Sequence, residues 1–282
     1  MQNLERPNLL NMELQIVSSV VQKTAKGDDF RRMTLSTIDR SQTFPAIMWK
    51  NDLRKFPQQS FFRIANVIRV SSYDEPSSGY PDYVLHDFVV VKEGKIGLSE
   101  EQRNSLYATL QDYIECIADE KLKKFVNSLM SDYGEAFKVS SAAVSMHHNF
   151  LGGLLEHTVE CLDIAKDFID KHPQIDRGTV YAACILHDFA KIWEYNIDME
   201  NGAITYNNAF ISRWVSHSQW GYSMCMTAGF EVVAKMIATH HSRTDWGAVI
   251  DLDTKDLEPI YYLLHHIDDL SAKFGKTSVL DI

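Results

Sequence analysis

The apolar period of this chain changes once, near residue 95, and that change decides how it can fold. Before it, the sequence reads in short β-type runs. Leu14–Val21 is rich in β-branched residues, and Phe30–Ile38 alternates apolar with polar positions. Asp39-Arg40-Ser41 marks a turn, from which Phe44–Trp49 returns. Phe61–Val70 reads as a fourth strand and Tyr83–Val91 as a fifth, with Pro76–Pro81 breaking the chain between them. Five short strands in so few residues predict a small closed β-barrel.

From Ser99 onward the period is helical. Ser99-Glu-Glu-Gln102 has the form of a helix start, a hydroxyl cap followed by a first turn of Glu and Gln. Helical patterning runs over roughly 99–117, 119–131, 154–171, 178–190, 214–228, 230–241 and 256–274. The predicted class is α+β: a five-stranded barrel of the oligonucleotide-binding (OB) type over 1–95, then an all-helical domain over 99–282, linked by Lys92–Leu98. No segment approaches the ~20 apolar residues of a membrane span, and the N-terminus carries no apolar signal core. Cys116, Cys161, Cys184 and Cys225 are widely spaced and read as free thiols of a cytoplasmic protein. The net charge of -10 argues at first against nucleic acid, but it is unevenly spread. Residues 14–73 carry ten Lys/Arg against four Asp, whereas residues 96–282 carry 15 Lys/Arg against 27 Asp/Glu. A basic unit suits phosphates, and an acidic one suits cations.

Ten of the 11 histidines fall between His147 and His266. His187-Asp188 closes the apolar run Val180–Leu186, and Lys191 follows one helical turn later. His157, His217, His240-His241 and Asp268 each lie in a separate helical segment, and Gly221 after His217 suits close approach of another helix. Several imidazoles with a few carboxylates, contributed by different helices, predict a divalent-metal site. Mixed N/O ligands suit Mn²⁺, Fe, Mg²⁺, Zn²⁺ or Co²⁺. Two such cations can activate water and stabilise both oxygens of an in-line phosphoryl displacement. Asp188 and Lys191 are the catalytic candidates. Lys191 could offset phosphate charge, or could equally pair with Asp188 or Glu194.

His157, His187-Asp188 and Asp268 resemble the H…HD…D signature of the HD-domain phosphohydrolases. More closely, His147-His148-Asn-Phe-Leu-Gly-Gly-Leu-Leu-Glu-His157 and Ile185-Leu-His-Asp-Phe-Ala-Lys-Ile-Trp-Glu194 look like segments of the YhaM-type 3′→5′ exoribonucleases. His217-x-x-x-Gly221, His240-His241 with Asp245-Trp-Gly247, and Leu264–Lys273 are similar to that family's later motifs in order. The chain departs from the family pattern at Ser242-Arg243, Phe189-Ala190 and Asp269. The resemblance implies an N-terminal OB-fold and two metal ions, Mn²⁺ foremost. One ion would take His157, His187, Asp188 and Asp268; the second would share Asp188 and add His217, His240 and His241.

On the barrel, Lys26, Phe30, Arg31, Arg32, Trp49 and Tyr73 mix charge with aromatic rings, as a surface for single strands does. Alternation would place about half of the barrel's aromatics in the core, Trp49 and Phe62 among them. His148, just before the first ligand, is a further candidate for touching a phosphate, with a structural role as its rival. The expected function is metal-dependent 3′→5′ hydrolysis of single-stranded nucleic acid, RNA ahead of DNA, to nucleoside monophosphates. One rival is a phosphohydrolase of small or cyclic nucleotides; another is a non-catalytic strand-binding protein with a structural metal. No membrane partner is expected, and a homo-oligomer is compatible with the sequence.

Overall fold

The computed structural model describes residues 7–77, 81–94, 96–144, 147–200, 202–254 and 257–274. Residues 78–80, 95 and 256, which fall in the expected break, linker and last helix, lie outside them. The chain divides into two compact units: residues 1–96 with 198–203, and residues 97–197 with 204–282. The short segment 198–203 departs from the expected uninterrupted domains.

The first unit is a closed barrel of β1 (Glu13–Lys23), β2 (Asp29–Ser36), β3 (Thr43–Trp49), β4 (Val67–Asp74) and β5 (Tyr83–Lys92), in the order β1-β2-β3-β5-β4. All neighbours are antiparallel except β3 and β5. A one-turn helix, α1 (Lys50–Leu53), follows β3. Register follows from period-2 alternation. Arg31 pairs with Met48, Met33 with Ala46 and Leu35 with Phe44, and all six face inward.

Two expectations change here. Phe61–Val70 is not one strand: Gln59–Phe62 forms a 3-10 turn and β4 begins only at Val67. Asn66 causes this. Its amide donates to the Ser60 and Phe61 carbonyls, and its side-chain oxygen accepts from the Gly94 amide, which fixes a turn where pairing would otherwise continue. Arg31, expected on the strand-binding surface, is only 5% exposed. It donates to Ser19 Oγ at 2.8 Å and its guanidinium lies 4.3 Å from the centre of the Phe62 ring. Alternation turns it into the barrel and turns Arg32 out.

The second unit contains α2 (Glu100–Glu115), α3 (Glu120–Val139), α4 (Gly153–Ile169), α5 (Arg177–Leu186) and the single turn α6 (Lys191–Glu194). A hairpin of β6 (Tyr195–Ile197) and β7 (Ile204–Tyr206) follows, so the unit is not all-helical. Strands of three residues leave too little pattern to read in advance. Then come α7 (Asn208–Ile211), α8 (His217–Thr227), α9 (Glu231–Thr239) and α10 (Pro259–Phe274). Ser99 and Gln102 cap α2 reciprocally, as its sequence predicts. α5 is buried along nearly its whole length and packs with α4, α9 and α10 around one core. Gly221 allows close packing of α8: a Cβ there would lie 3.3 Å from Ile237 Cγ2 and 3.4 Å from the Leu186 carbonyl oxygen. No helix among the described residues is long and apolar enough to cross a membrane.

The two neighbouring arginines should separate in denaturation experiments. Arg31→Ala should cost about 1–3 kcal/mol, since it strips a buried donor from Ser19. Arg32→Lys, which keeps a cation for the buried Asp82 carboxylate, should stay within about 1 kcal/mol. Equal losses would contradict the inward placement of Arg31.

Candidate metal centre

α5 ends at Leu186, and the chain turns there instead of continuing as a helix to Lys191. The turn delivers His187 and Asp188 into the interior, both buried. Lys191 opens α6 and its Nζ lies 2.5 Å from Asp188 Oδ2. Of the two sequence readings of Lys191, the ion pair with Asp188 is the geometry observed. Each burial penalty is outweighed: desolvation alone would raise the Asp188 carboxyl, but the Lys191 ammonium holds it well below its usual range. Burial would likewise lower the Lys191 ammonium, yet Asp188 keeps it above its ordinary value.

Four more elements converge on Asp188. On one side, His157 Nε2 lies 3.6 Å and His187 Nε2 3.5 Å from Asp188 Oδ2. The two nitrogens are 3.1 Å apart, and Asp268 Oδ1 is 3.2 Å from His157 Nε2. On the other side, His217 Nε2 lies 3.4 Å and His240 Nε2 3.7 Å from Asp188 Oδ1. His241 Nε2 is 2.9 Å from His217 Nε2. All seven ligand candidates therefore meet, in two groups that share one carboxylate.

The hydrogen bonds on the far side of each ring fix what those nitrogens can do. His187 Nδ1 donates to the Cys184 carbonyl at 2.8 Å, and His240 Nδ1 to the Ile237 carbonyl at 2.7 Å. His217 Nδ1 meets Glu194 Oε2 at 2.5 Å. His157 Nδ1 lies 2.9 Å from Ser271 Oγ, whose own proton goes to Glu160 Oε2 at 2.8 Å. The serine oxygen can then only accept, so His157 Nδ1 carries the proton. With Nδ1 carrying the proton, each of these rings in its neutral form presents a bare lone pair at the inward Nε2. Burial lowers His187 to about 4, which keeps it neutral near pH 7. Asp188 Oδ1 and His240 Nε2 are buried with no hydrogen-bond partner. Lone pairs facing lone pairs and carboxylate oxygens at these distances repel unless a cation lies between them, so the donor set fits divalent metals.

Glu160 and Ser271 escaped the sequence reading, and Glu194 entered it only as a rival partner for Lys191, because the contacts that give them meaning span 23 to 114 residues. The pattern that could have found them is the partner each ligand histidine needs on its second nitrogen. Cys161 also borders the first group, with Sγ 3.7 Å from His157 Nε2. Burial, with Asp268 nearby, raises its thiol, so it stays protonated. His148, the candidate for touching a phosphate, is fully buried. Its ring lies 5.3 Å from that of His157 and its Nε2 is 3.1 Å from Glu160 Oε2. Its strained backbone, φ +51°, is held in a tight loop, where a Cβ on Gly153 would come within 2.0 Å of the His148 carbonyl oxygen.

On the barrel, the remaining strand-binding candidates are spread unevenly. Lys26 is exposed in the β1–β2 turn. Phe30 and Trp49 are half-buried cross-strand partners, with ring centres 5.3 Å apart. Arg32 is exposed and pairs with Asp82 at 2.8 Å. Tyr73 is half-buried, and its hydroxyl donates to Asn8 and accepts from the Leu9 amide.

Residues 154–273 match the HD domain, a span that opens at the N-terminus of α4 and takes in all seven ligand candidates. The helical unit contains an HD domain. That domain implies a divalent metal, in agreement with the donor set. Along 94% of its length, the chain is 24% identical to the 3′-5′ exoribonuclease YhaM of Bacillus pumilus, covering 85% of that relative. It is 30% identical over 175 residues to the YhaM of Bacillus velezensis and 29% identical over 177 to that of Bacillus subtilis. In those two alignments, it spans about half of the relative, 54% and 55%. No solved structure is a significant match.

If Ser271 and Glu160 orient His157, Ser271→Ala should weaken Mn²⁺ binding about 10- to 100-fold in isothermal titration. Ser271→Thr, which keeps the hydroxyl, should recover most of it. Unchanged affinity in the alanine variant would remove Ser271 from any role in the centre.

Proposed function

We propose that this protein is a metal-dependent 3′→5′ exonuclease that hydrolyses single-stranded nucleic acid, RNA first, to nucleoside monophosphates. The observation that carries this reading is Asp188, whose two oxygens face two separate groups of ligand nitrogens. The HD domain and the similarity to relatives named 3′-5′ exoribonuclease YhaM support the same reading. His157, His187, Asp188 and Asp268 would hold one ion, and Asp188, His217, His240 and His241 a second, with Mn²⁺ the leading candidate. Such a pair supplies Lewis-acid activation of water and neutralises charge on the phosphate.

The chain's own residues do the rest. Glu194, Ser271 and the carbonyls of Cys184 and Ile237 hold the rings with Nε2 inward. Lys191 supplies a buried positive charge beside the bridging carboxylate, where phosphate charge would accumulate. Solvent reaches the centre at the partly buried residues His147, His241 and Asp268, the side from which a strand end can enter. On the barrel, Lys26, Phe30, Arg32 and Trp49 hold the strand by charge and stacking, with Tyr73 a further stacking candidate. Arg31 and His148 are not among these residues, because both are buried.

With Mn²⁺ and 5′-labelled single-stranded RNA, the protein should produce a descending ladder, and Asp188→Ala should abolish it. Cleavage of cyclic dinucleotides without any ladder would replace this reading by the small-nucleotide one. Lys26→Glu combined with Trp49→Ala should weaken the use of long strands far more than of dinucleotides. Equal loss on both would contradict a strand-holding role for the barrel.

A further inference from the structure

Two tryptophans of the helical unit are turned to solvent on the segments that carry the ligand candidates His217 and His241. Trp214 is 92% exposed and Trp246 66%. Trp214 precedes His217 by three residues and Trp246 follows His241 by five. His217 and His241 meet at 2.9 Å through their Nε2 atoms, which brings the two chain segments that carry the tryptophans to one edge of the metal centre. Packing does not account for them. Trp193 and Trp220 of the same unit pack on each other, with ring centres 5.7 Å apart, whereas Trp214 and Trp246 are left outside.

The backbone goes to some cost to hold them there. Trp214 has φ +55° and Ser242, one residue after His241, has φ +66°, both in the left-handed region that non-glycine residues avoid. The loop bearing Trp246 is tied down by Ser242 N to the Thr239 carbonyl at 2.8 Å, Ala248 N to the Arg243 carbonyl at 2.9 Å and Leu252 N to the Ser242 carbonyl at 2.8 Å. A Cβ on Gly247 would lie 3.7 Å from His241 Cδ2, so the backbone next to Trp246 passes beside a ligand ring. The indole itself is braced on one side by Arg243, 5.5 Å from its centre and fixed in turn by two hydrogen bonds to Asp245. Charge favours a polyanion on the Trp214 side of this edge, whereas on the Trp246 side Arg243 has Asp245, Asp251 and Asp253 as neighbours and the indole face must supply the attraction. In an otherwise acidic unit, residues 201–230 contain no Asp or Glu, and Arg213 is their one Lys or Arg.

Resting on the nuclease reading above, we propose that Trp246, with Trp214 as a second ring, forms a base-stacking platform at the His217–His241 edge. It holds unpaired nucleobases of the strand whose phosphate lies at the centre, and Arg213 offsets backbone charge beside it. An indole on a rigid loop offers a large flat face with little side-chain entropy to lose, and every base presents a matching π-face. The platform therefore selects single strands without selecting sequence.

The test titrates the Mn²⁺-loaded protein with phosphorothioate-protected single-stranded RNA and follows tryptophan emission. Wild type should be quenched on binding. Trp246→Ala should bind about 5- to 150-fold more weakly, the range expected for loss of one stacked base, and should lose part of the quench. Trp246→Phe should recover most of the affinity, because a phenyl ring still stacks. Melting temperatures should match, since the indole is exposed. If Trp246→Ala binds as tightly as wild type while wild type degrades unprotected RNA, the platform fails and the nuclease stands. If wild type neither binds nor degrades RNA, both fall.

Discussion

A buried carboxylate without enough counter-charge is the constraint on which the helical unit depends. Removing an ionised carboxylate from water costs several kcal/mol even after the protein relaxes. Lys191 answers that cost on Asp188 Oδ2 only. Asp188 Oδ1 has no donor at all and faces two bare imidazole nitrogens. Such a site is poor as packing and good as a cation receptor, and the arrangement of α4, α5, α8, α9 and α10 serves to hold it.

The holding is done by helix ends. The last carbonyls of a helix have no partner within it. At the ends of α5 and α9 those orphan acceptors are used in the same way: His187 returns its Nδ1 proton to Cys184, and His240 returns its own to Ile237. Each helix terminus thus satisfies its own backbone and aims a lone pair inward. His157 and His217 lie on helices of their own, where such carbonyls are not free, and they use side chains instead. Glu194 serves His217, and Ser271 with Glu160 serves His157. Metal affinity is thereby tied to residues that no metal would touch.

The barrel solves a different problem with the same economy of pattern. Alternation along β2 sends Arg31, Met33 and Leu35 inward, and Arg32 out. The inward arginine is tolerated because Ser19 accepts one of its protons and Phe62 covers its face. Its outward neighbour reaches the surface and pairs there with Asp82. Two residues that composition alone treats as equivalent are separated by a single step of the β period.

Periodicity and adjacency are local properties, and what depended on them was legible in the chain itself. The change of period near residue 95, the cap at Ser99 and the seven ligand candidates could all be named from the sequence, because a helix or strand writes its face every few residues. Even the burial of Arg31 was written there, in its two-residue spacing from Met33 and Leu35, although its charge drew attention to the surface. The tertiary structure alone decided which groups share Asp188, which partners set the histidine tautomers, and where the chain leaves tryptophans in solvent. These depend on contacts between residues as far apart as His157 and Ser271. No local pattern records such contacts, since they arise only when packing brings distant helix ends together around one buried charge.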